Sequence, residues 1–179
     1  SCGSCRSACA SPPPNSGGAR AVAAPTTPHK RPESVLVAVY TAAGEALLLE
    51  RREPPGWWQS VTGSLEPGET PAAAAARELR EETGLAADGL VDLGLSHRFT
   101  IAPAWRHKFA PGVTENLEHA FAIALPARAA IRLDPAEHCN HAWLPLPEAI
   151  GRASSWSNRA VLEQVAAGQA GRRPSNPRA

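Results

Sequence analysis

The chain has 179 residues, with 18 Lys and Arg against 17 Asp and Glu and a formal net charge of +1. That balance excludes a global basic field for a nucleic-acid polymer, so any charged ligand must be held by a local cluster. The length suits one domain with a sizeable core, and no apolar run reaches membrane-helix length or matches a signal peptide. A cytoplasmic protein with neither a membrane nor a polymer partner is the expectation.

Residues 1–29 are rich in Ser, Pro, Gly and Ala and have no sustained period, which predicts a disordered leader. Cys2, Cys5 and Cys9 stand there as C-x2-C-x3-C, but no second ligand pair follows at zinc-site spacing, so they read as part of the tail. Cys139 is alone in the remainder, which fits a reducing compartment and argues against a disulfide scaffold.

Order is expected over residues 30–168, with a flexible tail at 169–179. SVLVAVYT (34–41) and EALLLERR (45–52) are β-branched and apolar, and Ala43-Gly44 between them predicts a hairpin. EPPG breaks the second strand, and WWQSVTG (57–63) reads as a third. A helix over 71–83 is well signalled, with Thr70 as N-cap, Pro71 at the first helical position and Gly84 as the stop. Residues 89–100 read as strand, 102–117 as a long polar connection, and 118–126 and 141–146 as strands. Residues 147–153 and 157–168 look helical. The order predicts an α/β domain with a mixed β-sheet carrying helices on its faces.

The helix poses a chemical question. At 3.6 residues per turn, Glu78, Glu81 and Glu82 share one face, while Ala72, Ala75, Ala76 and Leu79 form a second that can pack on the sheet. Arg77 stands four residues before Glu81 and can orient it. The acids lie at the C-terminal end, where the macrodipole disfavours them. A solvated acidic face is one reading. A hard divalent cation shared between carboxylates and substrate phosphates is the other.

Gly63, Glu69 and then Arg77-Glu78-Leu79-Arg80-Glu81-Glu82-Thr83-Gly84-Leu85 fill every defining position of the Nudix box at the right spacing, and the chain resembles the Nudix hydrolase family. The resemblance implies an α/β/α sandwich and Mg²⁺-dependent hydrolysis of a diphosphate linkage, with Mn²⁺ as a substitute. By position, Glu78 and Glu82 are implied metal ligands. Glu81 is implied as a further ligand or water-activating base, Arg77 as the residue orienting the carboxylates, and Gly63, Glu69 and Gly84 as support. Segments outside the box (KRPESVLVAVY, WRHKFAPGVTENLEHAF, the E-H before AWLPL, SSWSNRAVLEQ) are similar to a folate-pathway branch of the family that releases pyrophosphate from dihydroneopterin triphosphate. That likeness covers roughly residues 30–168 and is weakest over 86–105.

It implies Glu137 as a catalytic and metal-binding acid from outside the box, with Glu118 competing for that part. It implies Lys30, Arg51, Thr62, Phe99, Thr100, Ile101, Ala102 and Ser155 as substrate contacts. Trp58 and Trp156 read as core packing rather than ring stacking. Arg106, His107 and Lys108 form a basic cluster that suits phosphate or solvent equally. The implied partner is a small-molecule triphosphate. Alternatives are a broader hydrolase of deoxynucleoside triphosphates such as dATP and a non-catalytic metabolite sensor. Oligomeric state has no signal in the sequence.

Overall fold

A computed structural model describes residues 29–170. The three N-terminal cysteines and nearly all of the leader and tail lie outside these residues. The chain forms β1 (Glu33–Thr41), β2 (Glu45–Arg51), β3 (Trp58–Gln59), β4 (Val61–Ser64), α1 (Pro71–Thr83), β5 (Val91–Thr100), a 3-10 helix (Pro103–Lys108), β6 (Glu115–Leu125), β7 (His138–Pro145), α2 (Leu146–Arg152) and α3 (Trp156–Ala170).

Seven strands make one mixed sheet in the order β3-β2-β1-β6-β5, with β4 also on β1 and β7 also on β2. β1 runs parallel to β6 along its whole length, and the other pairings are antiparallel. The alternation of side chains along β1 divides the core. Val35, Val37 and Val39 pack with Leu47, Leu49, Leu79 and Phe121 beneath α1. Leu36 and Ala38 pack with Leu48, Ala120, Leu162 and Val161 beneath α2 and α3. Both faces are covered, which is why β1 reads as one apolar run. The result is the expected α/β/α sandwich.

The predicted hairpin and third strand need refinement. β1 meets β2 only near its end, at Tyr40 opposite Ala46, and its first half pairs with β4, Ser34 to Val37 against Ser64 to Val61. β3 instead pairs with β2 at Leu49 and Glu50. Segment 58–64 thus fills the wedge where β1 and β2 diverge. It breaks at Ser60 because buried Asn158 of α3 grips that residue twice, accepting from Ser60 N at 2.7 Å and donating to its Oγ at 2.8 Å. The long connection at 102–117 is partly ordered, since it holds the 3-10 helix and gives its last residues to β6.

α1 begins and ends as its sequence predicts. Thr70 Oγ1 accepts from Ala73 N, and Gly84 adopts the left-handed conformation (φ 74°) with its N–H on Arg80 O. Its packing face differs by a residue. Ala74, Ala75 and Leu79 are buried with Glu82 and Thr83, whereas Ala72 is exposed.

Candidate active site

Arg77 is the hub of the box. Its Nε and Nη2 bond the two carboxylate oxygens of Glu69 at 2.9 Å each. Its Nη1 bonds Glu78 at 2.7 Å and Glu81 at 3.1 Å, and Nη2 also reaches Ser64 O at 3.1 Å. All five N–H donors are therefore used, as only a planar guanidinium allows. Arg77 holds Glu69 below its ordinary pKa, and its own pKa is raised, chiefly by Glu69. Glu69 also accepts from Glu66 N at 2.9 Å, which ties the approaching loop to the same hub.

Gly63 lies in β4 directly against Glu78. A Cβ there would stand 1.8 Å from Glu78 Cδ, so glycine is needed for close approach and not for a loop conformation. Glu78 is pushed up to about 7, mainly because burial strips its water and only secondarily opposed by Arg77.

Glu82 is buried more deeply, at 2% exposure. Its Oε2 accepts from Thr62 N at 3.2 Å. Its Oε1 lies 3.1 Å from His138 Nε2, but the two are misaligned, and neither atom has a hydrogen-bond partner among the described residues. Burial raises the Glu82 pKa against the help of His138. Glu137, exposed at the turn before β7, completes a group in which donor atoms of Glu82, Glu137 and His138 all lie within 4.8 Å of one another. An orphaned buried carboxylate oxygen beside an exposed carboxylate fits a hard divalent cation, and Glu78, which is not part of this group, is close enough to Glu82 for the charge of Glu82 to raise its pKa further. His138 is the residue that sequence reasoning missed. The pairing of Arg51 with His138 at the start of β7 turns its ring inward, and only the E-H pair before a strand hinted at it.

Basic groups border this cluster. The Lys108 pKa is lowered, first by burial and then by Lys30 and Arg51, with Glu137 acting the other way, so the four residues share one field. Lys30 is held there because its N–H bonds Lys108 O at 2.9 Å. The Arg51 guanidinium lies 5.8 Å from the Trp105 ring centre. Arg51, Trp57, Ala102, Trp105 and Lys108 line a cleft of about 490 Å³.

The remaining expected contacts are spread out. Thr62 Oγ1 accepts from Gln59 Nε2 at 2.8 Å. Phe99 is half-buried on the face of β5 that carries Leu95 and His97, Thr100 is exposed on the opposite side, and Ile101 is buried. Ser155 Oγ accepts from Asn158 N at 3.2 Å, which caps α3. Trp58 is core, as expected. Trp156 is not: it is 53% exposed and meets His97 edge-on at 5.0 Å. Glu118 does not join the carboxylate cluster. Strand register puts it in one row with Ser64, Ser34 and His97, on the α3 side of the sheet.

The NUDIX domain matches residues 30–165. A dihydroneopterin triphosphate diphosphatase of Escherichia coli (strain K12) is 42% identical over 141 residues, spanning 76% of this chain and 93% of that protein. The protein of the same name from Haemophilus influenzae is 35% identical over 141 residues, spanning 76% and 88%. The solved structure of the E. coli dihydroneopterin triphosphate pyrophosphohydrolase matches at a TM-score of 0.73 and 41% identity, over 78% of this chain and 98% of that one.

Proposed function

The chain belongs to the Nudix family, and from that premise we propose that it hydrolyses dihydroneopterin triphosphate to the monophosphate and pyrophosphate with a divalent cation, Mg²⁺ by preference. The observation that carries the catalytic part is the meeting of Glu82 on α1 with Glu137, which lies 55 residues later, beside Lys30, Arg51 and Lys108. The substrate is supported by the likeness to the E. coli enzyme, which extends well beyond the box.

Glu78, Glu82 and Glu137 would hold the cation, which when bound neutralises phosphate charge and acidifies a water. Arg77 fixes Glu78 and Glu81, and the Thr62 N–H holds Glu82. Lys30, Arg51 and Lys108 bind the phosphate oxygens, with Arg51 suited to a paired contact. Two carboxylates are candidate proton acceptors: Glu81, one oxygen of which is held by Arg77, and Glu137, an oxygen of which lies within 4.8 Å of one of Glu82. One of these two carboxylates takes the water's proton. That water would attack the α-phosphorus in line as it loses its proton, with pyrophosphate as the leaving group. Positioning and electrostatics carry the rate.

The test is turnover of dihydroneopterin triphosphate, dATP, dGTP and dinucleoside polyphosphates with Mg²⁺, read as pyrophosphate release. The pterin substrate is expected to have the highest kcat/KM. A deoxynucleoside triphosphate turned over equally well would replace this reading with the broader hydrolase.

A further inference from the structure

On the α3 side of the sheet lies a polar row that the hydrolytic machinery does not use. Ser64 of β4, Ser34 of β1, Glu118 of β6 and His97 of β5 are successive cross-strand neighbours and project from the same face. Farther along that face, Phe99 pairs with Asn116. The first turn of α3 stands over the row, with Ser155 and Ser157 hydroxyls 3.5 Å apart and Trp156 open to solvent.

Glu118 is the anomaly here. Only 6% of it is exposed, and its Oε1 has no hydrogen-bond partner among the described residues. Ser157 is its one neighbour that favours the charged form, and burial outweighs it, so the pKa is raised. His97 Nδ1, next in the row, is likewise buried and without a partner among the described residues. Carboxylates are rarely buried so incompletely paired, because each unmet oxygen forfeits its hydration. A ligand that brings N–H donors supplies what is missing.

The geometry points to Glu118 as the residue that reads the base: its carboxyl accepts from the ring N–H and adjacent amino group of a 2-amino-4-oxopyrimidine edge, with Trp156 packing on the ring face. This rests on the proposed pterin triphosphate activity and adds to it the residue that selects the ring. Two parallel N–H groups match the two oxygens of a carboxylate. Pterins and guanine carry that edge and adenine does not. Its place also suits the chemistry. Glu118 is two strand spacings, about 10 Å, from Ser64, whose backbone carbonyl accepts from Arg77 at 3.1 Å, a span of the length of a pterin ring and its three-carbon side chain. An exposed Trp against His97, the cross-strand neighbour of the buried acid, offers an apolar face near a polar edge, the combination that recognises a planar heterocycle.

The experiment compares wild type with Glu118→Gln and Trp156→Ala, using neopterin, which has the ring but no phosphate, and inorganic tripolyphosphate, which has phosphate but no ring, as competitive inhibitors. Neopterin inhibition is expected to weaken in Glu118→Gln by about 10- to 100-fold, the range for losing a hydrogen bond to a charged group. Tripolyphosphate inhibition should stay unchanged, which also reports an intact fold. KM for dihydroneopterin triphosphate and dGTP should rise with kcat nearly constant, while dATP is unaffected. Trp156→Ala, at the surface, should weaken neopterin without changing the guanine-to-adenine preference. Equal neopterin inhibition in wild type and Glu118→Gln would overturn the inference and leave the hydrolase standing. If dihydroneopterin triphosphate is not turned over at all, the function fails, and the guanine-versus-adenine comparison still decides whether Glu118 reads that edge.

Discussion

At the scale of single residues, the site is built from close approaches that tolerate nothing larger. Gly63 shows it most sharply, since the atom that a Cβ would meet belongs to the flexible end of Glu78 and not to backbone. Gly63→Ala should therefore keep the fold and displace the carboxylate. A misplacement of this kind costs on the order of 100-fold in rate, so kcat should fall by about that much while the melting temperature barely moves. A large fall in melting temperature with normal kcat would show that Glu78 is dispensable. Arg77, Glu78 and Glu82 are legible in the amino-acid sequence because their spacing along one helix is a local property. His138 is not: its ring faces Glu82 only through the pairing of β7 with β2, which no local pattern records. Trp156 departs from expectation for the opposite reason. Aromatic residues usually bury, and only the position of α3 over the polar row leaves this one exposed.

Elements show the same division between local and long-range information. Capping residues announce α1, and the helix matches them at both ends. The stretch 57–63 reads as one strand, but it is two, and the cause lies in a helix nearly a hundred residues away. Asn158 bonds both the N–H and the hydroxyl of Ser60, all buried. Asn158→Ala would leave these groups unmet, at about 1–3 kcal/mol for a buried group without a partner. The melting temperature should drop accordingly. Because β4 carries Gly63 and the Thr62 N–H that holds Glu82, kcat should fall as well, which a purely peripheral helix contact would not cause. Unchanged kcat in a destabilised Asn158→Ala protein would separate the wedge from the site. Substitution of Thr70, at the far end of α1, provides the contrast. Thr70→Ala loses the cap on Ala73 N and should cost about 1 kcal/mol of stability with kcat intact.

For the whole molecule, three carboxylates lifted by burial make stability depend on pH in an unusual direction. Glu78, Glu82 and Glu118 all have folded-state pKa values above the ordinary 4.5, Glu78 at about 7. Between 4.5 and the raised values the folded chain binds more protons than the unfolded one, so stability falls as pH rises through this window. Glu33, Glu45 and Glu69 are shifted down, so their contribution is complete above 4.5 and is lost only as pH falls below it. His97, lowered by burial, acts against the trend, because the unfolded chain protonates first as pH falls through 6.5. Three raised acids against one lowered imidazole leave a net decline, and the metal-free protein should melt at progressively lower temperature from about pH 5 to about pH 7.5. A divalent cation competes with protons for Glu78 and Glu82 and stabilises only the folded state, more so as pH rises. Saturating Mg²⁺ should thus flatten or reverse the slope, and Glu78→Gln should weaken both the slope and the response to Mg²⁺. Melting curves at several pH values, with EDTA or with Mg²⁺, measure this directly. A metal-free protein that gains stability across the same range would mean that these carboxylates are better solvated than their burial implies, and it would remove the electrostatic reason for a cation between them.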